Sequence, residues 1–334
     1  MKKTAVVLCP GRGTYQKTEL GSLASYYQNP LLGQIDGVRK ALGLATVSEL
    51  DQAERYLHAL HQLPSNNAAL IYAAGLLQFH GIDRDEYDIV AVSGNSMGWY
   101  TTLSCAGVWD AEIGSEIVSG MASLTATAAG QQFIYPLLDE QWRLDPEKVA
   151  AVANQLEMPD LYNSIQYGGY AVLAGSNAAV QTAMAALPPL DQRFPLLLQG
   201  HAAFHSPLMQ EASAQALARW QTGVFANPQL PMIDGEGRIW PAAPVQKSAL
   251  HHYTFGTQVS ACYDFKKAVQ VAVREFAPDC VILLGPGQNL GGAVAQSLIE
   301  IGWQGLHSKQ DFTDLQQSES PFLLEAVACQ RGAF

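Results

Sequence analysis

The stretch VSGNSMGWY, residues 92–100, places Gly94, Ser96 and Gly98 in the spacing G-x-S-x-G, directly after an apolar run at residues 89–92. Small residues flank a nucleophilic serine at a sharp strand-to-helix turn, because the tight backbone leaves no space for larger side chains. Ser96 is therefore a candidate nucleophile, and free N–H groups at the start of the following helix could stabilise an oxyanion. The alternative is a Gly-Ser turn without chemistry.

The segments on either side of this turn alternate between strand-like and helix-like patterns, which indicates an α/β fold with a mainly parallel sheet. Residues 5–9 are a short apolar run before the loop PGRGTYQ, and residues 66–80 are apolar on nearly every side, as in a buried helix. A helix is predicted over residues 260–275 and a buried strand over residues 280–284. The polar segment from about residue 308 to 320 is typical of a loosely packed tail.

Between residues 131 and 199 the order of predicted elements is β-α-β-β-α-β, which is a ferredoxin-like unit. We therefore expect an inserted ferredoxin-like small domain at residues 130–199. Residues 1–129 and 200–334 are expected to form one α/β-hydrolase-like large domain around a parallel sheet.

The composition excludes several classes of protein. A net charge of −11 argues against a general nucleic-acid binder, since phosphate binding needs a basic face. The five cysteines are scattered and include no C-x-x-C, which indicates reduced thiols and no zinc site. No apolar run reaches the length of a membrane span. We expect a cytoplasmic monomer without a metal or bound cofactor.

A serine nucleophile needs a base, and the sequence offers eight histidines. His201 and His205 lie in GHAAFHSPLM, where the predicted small domain returns to the large one, and a loop at such a junction is a good place for a site residue. A conventional α/β-hydrolase has its acid between the serine and the histidine. If His205 is the base, that acid would come from the inserted domain, which counts against a lipase or esterase.

Five segments resemble, in the same order, those of the malonyl-CoA:acyl-carrier-protein transacylase family, which includes the acyltransferase domains of polyketide synthases. GNSMGWYTTLSCAGVWD is similar to the nucleophile segment G-H-S-x-G-E-Y and its C-A-G continuation. PGRGTYQ resembles P-G-Q-G-S-Q, YNSIQYGGYAVLAG resembles N-S-P-x-Q-V-V-I-A-G, AAFHSPLM resembles F-H-S-x-L-M, and LLGPGQNL resembles G-P-G-x-x-L. The likeness extends over nearly the whole chain.

The resemblance implies roles for particular residues. Ser96 is the nucleophile that forms an acyl-enzyme, His205 is its base, and the backbone N–H groups of Met97 and Arg12 form the oxyanion hole. In the family a residue on a later helix orients the histidine, commonly through the backbone carbonyl of a glutamine. The alignment around CYDFKKAV gives Asp264 for that position, or Tyr263 if the register slips by one residue.

The acyl-binding residues depart from the family. Malonyl-specific members hold the malonyl carboxylate with an arginine on the helix after the nucleophile, and Met121 stands at that position here. Asn95 replaces the histidine that the family has directly before the nucleophile, and Trp99 replaces the glutamate that follows the second glycine of the motif. Phe204, directly before the histidine, is typical of members that take unbranched substrates. The full set of predicted substrate-binding residues is Met121, Phe204, Trp99, Asn95 and Asn163.

These residues predict an enzyme that takes an uncharged, unbranched acyl group from CoA or a carrier protein and passes it to the pantetheine thiol of an acyl carrier protein. The alternatives are an acyl hydrolase that clears carrier proteins, a malonyltransferase with Arg12 as relocated carboxylate partner, or an inactive docking protein. An acidic carrier protein would dock on a local basic area, for which Lys266, Lys267 and Arg274 on one predicted helix are candidates.

Overall fold

The computed structural model describes residues 2–331. The strands, in chain order, are β1 (Lys3–Cys9), β2 (Tyr87–Gly94), β3 (Gln131–Pro136), β4 (Leu161–Tyr167), β5 (Tyr170–Gly175), β6 (Leu196–Leu197), β7 (Met232–Ile233), β8 (Ile239–Trp240), β9 (Tyr263–Asp264), β10 (Cys280–Leu283) and β11 (Leu323–Glu325). The α-helices are α1 (Pro30–Ala41), α2 (Val47–Asp51), α3 (His58–His61), α4 (Pro64–Gly81), α5 (Gly98–Cys105), α6 (Ala111–Thr125), α7 (Pro146–Gln155), α8 (Asn177–Ala186), α9 (Gln210–Arg219), α10 (Lys247–His252), α11 (Gln258–Ser260), α12 (Phe265–Phe276), α13 (Leu290–Glu300) and α14 (Lys309–Gln316).

The larger sheet has the strand order β11-β10-β1-β2-β7-β8. Neighbouring strands in this sheet are parallel, apart from β7 and β8, which are antiparallel at one edge. The central strand β1 is buried from residue 5 to residue 9, as expected of a parallel strand with neighbours on both sides. Helix α4 begins with Pro64, and its residues 66–79 are all buried. The predicted buried helix and parallel sheet are therefore confirmed.

The second sheet has the order β6-β3-β5-β4-β9, and its first four strands alternate with α7 and α8 as β-α-β-β-α-β. This unit has a hydrophobic core of its own, which includes Phe133, Leu173 and Val180. The short strand β9 comes from a later part of the chain and pairs in parallel with β4. The α/β class with a larger and a smaller layered unit is confirmed.

Two local predictions are wrong. The helix expected from residue 260 begins at Phe265, because the chain is extended at Ala261 and pairs as β9 before Asp264 caps α12. The expected loose tail is ordered: Ser308 caps α14 through its side chain, and β11 then pairs with β10 at the edge of the larger sheet. In both cases contacts distant in sequence decide the structure.

Two kinds of feature are absent from residues 2–331. No helix there is long and apolar enough to cross a bilayer. No group of three or more His, Cys, Asp or Glu side chains converges there as a metal site.

Candidate active site

The turn that carries Ser96 joins the end of β2 to the start of α5 and packs tightly on the end of β1. Ser96 has a φ of 54°, in the left-handed region that residues other than glycine rarely adopt. A Cβ on Gly98 would lie 2.3 Å from the carbonyl oxygen of Cys9, and one on Gly94 would lie 2.5 Å from the carbonyl of Gly98. Both glycines of the G-x-S-x-G spacing are therefore required by backbone contacts that no larger residue permits.

Ser96 and His205 are 109 residues apart in sequence, and the fold brings them into contact. The distance from Ser96 Oγ to His205 Nε2 is 2.6 Å. The other ring nitrogen, Nδ1, lies 2.6 Å from the carbonyl oxygen of Gln258. Because a carbonyl oxygen only accepts, Nδ1 carries the proton, and Nε2 is free to accept the hydroxyl proton of Ser96.

The electrostatic surroundings keep His205 neutral. Burial lowers the pKa of His205 to about 4, although the hydrogen bond to the Gln258 carbonyl opposes this shift. At neutral pH the imidazole is therefore uncharged and able to accept a proton.

The position expected for Asp264 is taken by another group. Asp264 accepts a hydrogen bond of 2.8 Å from Lys267 N as the N-cap of α12, while Gln258 supplies the carbonyl at His205. The prediction that Asp264 orients His205 is wrong, because the alignment missed the bend at β9. Tyr263 donates its hydroxyl to Gly94 O at 2.6 Å, and its ring centroid lies 5.5 Å from that of His205.

Gln258 was not predicted from the sequence, and it holds both members of the pair. Its backbone accepts from His205, and its side-chain Nε2 donates to Ser96 O at 3.0 Å. Tyr100 donates to the side-chain oxygen of Gln258 at 3.2 Å. A π-helical turn, Tyr253–Thr257, leads directly into Gln258, and such turns often occur at functional sites. The family resemblance implied a glutamine carbonyl for this role, but a backbone carbonyl has no residue-specific signature, so the alignment gave Asp264 in place of Gln258.

The two predicted oxyanion residues flank the nucleophile. Met97 follows Ser96 and precedes α5, and Arg12 lies in the loop after β1. Across residues 2–331, neither backbone N–H donates to another protein group. Both residues line the cavity that opens at Ser96.

This cavity encloses about 520 Å³ of space, including its open mouth. Most of its lining side chains are apolar. The lining residues are Arg12, Ala68, Ser96, Met97, Tyr100, Val118, Met121, Ala122, Thr125, Phe204, His205, Met209, Gln258 and Val259. Met121 and Phe204 thus both line the cavity at Ser96, and their contact with substrate stays a prediction.

The other predicted substrate-binding residues lie elsewhere. Trp99 is fully buried and donates its indole N–H to Thr254 Oγ1 at 3.0 Å. Its predicted contact with substrate is wrong, because the side chain is fully buried in the core, where its ring packs edge-to-face on Tyr253. Asn95 and Asn163 each have a buried side-chain oxygen without a hydrogen-bond partner among the described residues. Their substrate contacts stay predictions.

Arg12 is the cation of this cavity. Its guanidinium carbon lies 5.1 Å from the ring centroid of Phe204, and its buried Nε has no partner among residues 2–331. Burial lowers the pKa of Arg12 to about 10, so the side chain remains charged at neutral pH. The cavity thus combines an apolar wall with an unneutralised positive charge.

The candidate docking residues lie on α12. Lys266 forms an ion pair of 2.9 Å with Glu300 on α13, and Lys267 and Arg274 are exposed. The local positive charge is therefore smaller than the sequence suggested.

Comparison with known proteins gives one sequence relative and several similar folds. The chain is 27% identical over 242 residues to the malonyl CoA-acyl carrier protein transacylase of Haemophilus influenzae, covering 70% of this chain and 74% of the relative. No protein-family model matches the chain.

Among solved structures, a malonyl-CoA:acyl-carrier-protein transacylase from Synechocystis superposes with a TM-score of 0.71 at 21% identity, covering 88% of this chain and 94% of that one. An acyl-carrier-protein S-malonyltransferase from Burkholderia pseudomallei gives a TM-score of 0.70 at 20% identity, covering 88% and 93%. A malonyl-transacylase in complex with a type II polyketide-synthase acyl-carrier protein also gives 0.70, at 21% identity, covering 89% and 93%. At these identities the likeness establishes the fold.

Proposed function

We propose that this chain belongs to the malonyl-CoA:acyl-carrier-protein transacylase family, as its sequence and its fold both support, and that it is an acyl-carrier-protein acyltransferase. The observation that carries this proposal is the contact of 2.6 Å between Ser96 Oγ and the neutral, buried His205, which both line a cavity with mostly apolar walls. Its substrates are acyl-CoA or an acyl carrier protein, and its acceptor is the pantetheine thiol of a carrier protein.

In the first half-reaction the thioester carbonyl lies in the cavity next to Ser96. The Ser96 oxygen attacks the carbonyl carbon while His205 Nε2 takes the hydroxyl proton. The negative charge on the carbonyl oxygen is stabilised by the N–H groups of Met97 and Arg12, and the nearby guanidinium adds positive potential. The C–S bond then breaks, His205 returns the proton to the departing thiol, and the acyl group is left as an ester of Ser96.

In the second half-reaction His205 takes the proton of an incoming pantetheine thiol. The sulfur attacks the ester carbonyl, the bond to Ser96 breaks, and Ser96 regains the proton. If water enters in place of the thiol, the same steps hydrolyse the acyl-enzyme, which is the editing reaction. The two activities are separated by following the acyl group after carrier protein is added.

The shape of the cavity supports an uncharged, unbranched acyl group. Met121 and Val118 on α6 contribute apolar wall, and the bulky ring of Phe204 also lines the cavity. A buried carboxylate facing Met121 would lose a charge-assisted partner, at a cost of about 2–5 kcal/mol.

A second candidate is transfer of an acyl group that ends in a carboxylate, and one observation favours it. Arg12 is a charged side chain with a buried, unpartnered Nε in the same cavity, and a buried cation gains most from an anionic partner. In this case the Arg12 guanidinium, which lies over the ring of Phe204, would receive the carboxylate.

Loading of acetyl-CoA and malonyl-CoA onto wild type and Arg12→Gln separates these candidates. The first predicts that acetyl loads faster than malonyl, and that Arg12→Gln changes the two rates alike. The second predicts fast malonyl loading that falls on the order of 100-fold or more in Arg12→Gln, with acetyl loading much less affected. The measurement is the time course of the Ser96 adduct by intact mass. Absence of an adduct in wild type with acetyl-CoA, longer linear acyl-CoAs and malonyl-CoA alike would favour a docking protein.

Docking of the carrier protein is proposed on the exposed face of α12. Lys267 and Arg274 are free to meet an acidic partner, whereas Lys266 would first have to leave Glu300. A salt-dependent rise in KM for the carrier protein supports electrostatic docking.

A further inference from the structure

His205 has a strained backbone. Its φ is 55°, in the left-handed region, and a residue with a side chain pays on the order of 1–2 kcal/mol to stay there. Such a conformation persists only where its surroundings hold it. Relief of this strain requires rotation of the peptide plane between Phe204 and His205, which changes φ of His205. Unless ψ of Phe204 compensates this rotation fully, it also tilts the imidazole away from Ser96.

Both the N–H and the C=O of the peptide between Phe204 and His205 form hydrogen bonds. On one side, the N–H of His205 donates to Val259 O at 3.2 Å. On the other, the carbonyl oxygen of Phe204 accepts from Ser164 Oγ at 2.8 Å and from Gln132 Nε2 at 3.2 Å. Rotation of the peptide would break all of these hydrogen bonds in a buried place.

The donors to Phe204 O belong to a directional chain of hydrogen bonds. His201 is neutral, since burial and then the Arg12 charge lower its pKa to about 3, and its Nδ1–H donates to Gln132 Oε1 at 2.9 Å. Gln132 Nε2 donates to Ser164 Oγ at 2.6 Å, and the Ser164 hydroxyl proton is directed to Phe204 O. Each member fixes the orientation of the next, and hydrogen bonds in such a chain strengthen one another.

Gln132 and Ser164 are built into the second sheet. Gln132 is on β3 and is 1% exposed, and Ser164 is on β4 and is fully buried. The register between β4 and β5 shifts between Asn163 and Ile165, so Ser164 is the extra residue of a β-bulge. Bulges re-aim side chains, and this one supplies a hydroxyl to a loop outside the sheet.

We propose that Gln132 and Ser164 are positioning residues for the base: they lock the Phe204–His205 peptide so that His205 faces Ser96. The second sheet then acts on the reaction without touching substrate. This inference rests on the proposed role of His205 as the base of Ser96.

The test measures the reactivity of Ser96 with a fluorophosphonate. In this reaction Ser96 Oγ forms a bond to phosphorus, fluoride leaves, and His205 takes the hydroxyl proton. Neither an acyl donor nor a carrier protein is needed. The variants are Ser164→Ala and Gln132→Met. The matched control is Ser297→Ala, which removes an equally buried hydroxyl, bonded to Ala293 O within α13.

We expect Ser164→Ala and Gln132→Met to lower the labelling rate of Ser96 about 10-fold or more, because a small misplacement of a catalytic group is costly. Ser297→Ala should label at the rate of wild type. In a His205→Ala background, Ser164→Ala should cause no further loss, since a residue that acts through the base has no effect once the base is gone.

The proposal is overturned if Ser164→Ala and Gln132→Met label as fast as Ser297→Ala, or if Ser164→Ala causes the same loss with and without His205. Melting temperatures of all variants identify a general loss of fold, and the His205→Ala pair remains decisive in that case. Wild type that reacts with the fluorophosphonate but with no acyl-CoA would contradict the proposed function and leave this test intact. Wild type that reacts with neither would overturn both.

Discussion

At the scale of single residues, the charge on His205 decides whether Ser96 can lose its proton. A buried imidazole whose pKa is lowered to about 4 stays neutral over the whole range in which an exposed histidine would titrate. The carbonyl of Gln258 fixes the proton on Nδ1 and leaves Nε2 facing the serine. The pair is therefore ready to react before substrate arrives.

A pH dependence follows from this burial. The base is active in its neutral form, so activity is lost as pH falls through the pKa of the folded protein. We expect the single-turnover rate of Ser96 acylation to show no decrease between pH 8 and pH 5.5 and to fall only near pH 4. Circular dichroism at each pH controls for unfolding. A loss of activity centred at pH 6.5, with the fold intact, would contradict a buried base.

The two residues in contact, Ser96 and His205, could be predicted from the sequence because each lies in a short recognisable motif. These motifs are the G-x-S-x-G spacing around Ser96 and the segment AAFHSPLM around His205. The resemblance implied a glutamine carbonyl as the group that orients His205, but it did not locate Gln258, because any residue can supply a backbone carbonyl. The state of Arg12 also depended on the structure: only the fold shows that its Nε is buried and has no hydrogen-bond partner among residues 2–331.

At the scale of elements, the segment from α11 to α12 contains two separate functions: one residue orients His205 and another caps a helix. The sequence alignment had assigned the orientation of His205 to Asp264. Gln258 on α11 serves the site, and Asp264 caps α12 through its bond to Lys267 N. Strand β9, which lies between them, pairs with β4 of the second sheet.

Replacement of Asp264 tests this separation. Asp264→Ala should leave kcat within about 2-fold of wild type and lower the free energy of unfolding by about 1 kcal/mol, the usual cost of losing an N-cap. The matched control is Asp145→Ala, which removes the cap of α7 in the smaller unit. Chemical denaturation and steady-state turnover are the measurements. A large loss of turnover in Asp264→Ala alone would restore it as a member of a catalytic triad.

The elements that the sequence predicted well are those with strong local patterns. The apolar runs of β1 and β10 and the uniformly apolar α4 read directly as buried structure. By contrast, α14 and β11 are held by a serine cap and by pairing at the sheet edge, neither of which gives a hydrophobic period in the sequence. The cap of α14 is a local contact, whereas the pairing of β11 with β10 joins segments that are distant in sequence.

At the scale of the whole molecule, the site is assembled from both sheets. The larger sheet supplies Ser96 and the loop of Arg12, and the segment leaving the second sheet supplies Phe204 and His205. The fold class could be predicted because the order of elements carries the architecture. The choice of acyl group could not be predicted, because the same cavity is lined by Met121, which favours an uncharged acyl group, and by Arg12, which favours a carboxylate.

The central claim is that Ser96 carries the acyl group. Wild type and Ser96→Ala are each incubated with acetyl-CoA, longer linear acyl-CoAs and malonyl-CoA, and their intact masses are recorded. The account predicts that wild type gains the mass of one acyl group, mapped to the peptide of Ser96, and that Ser96→Ala gains none. No adduct on wild type with any of these donors, or an adduct that persists in Ser96→Ala, would contradict it.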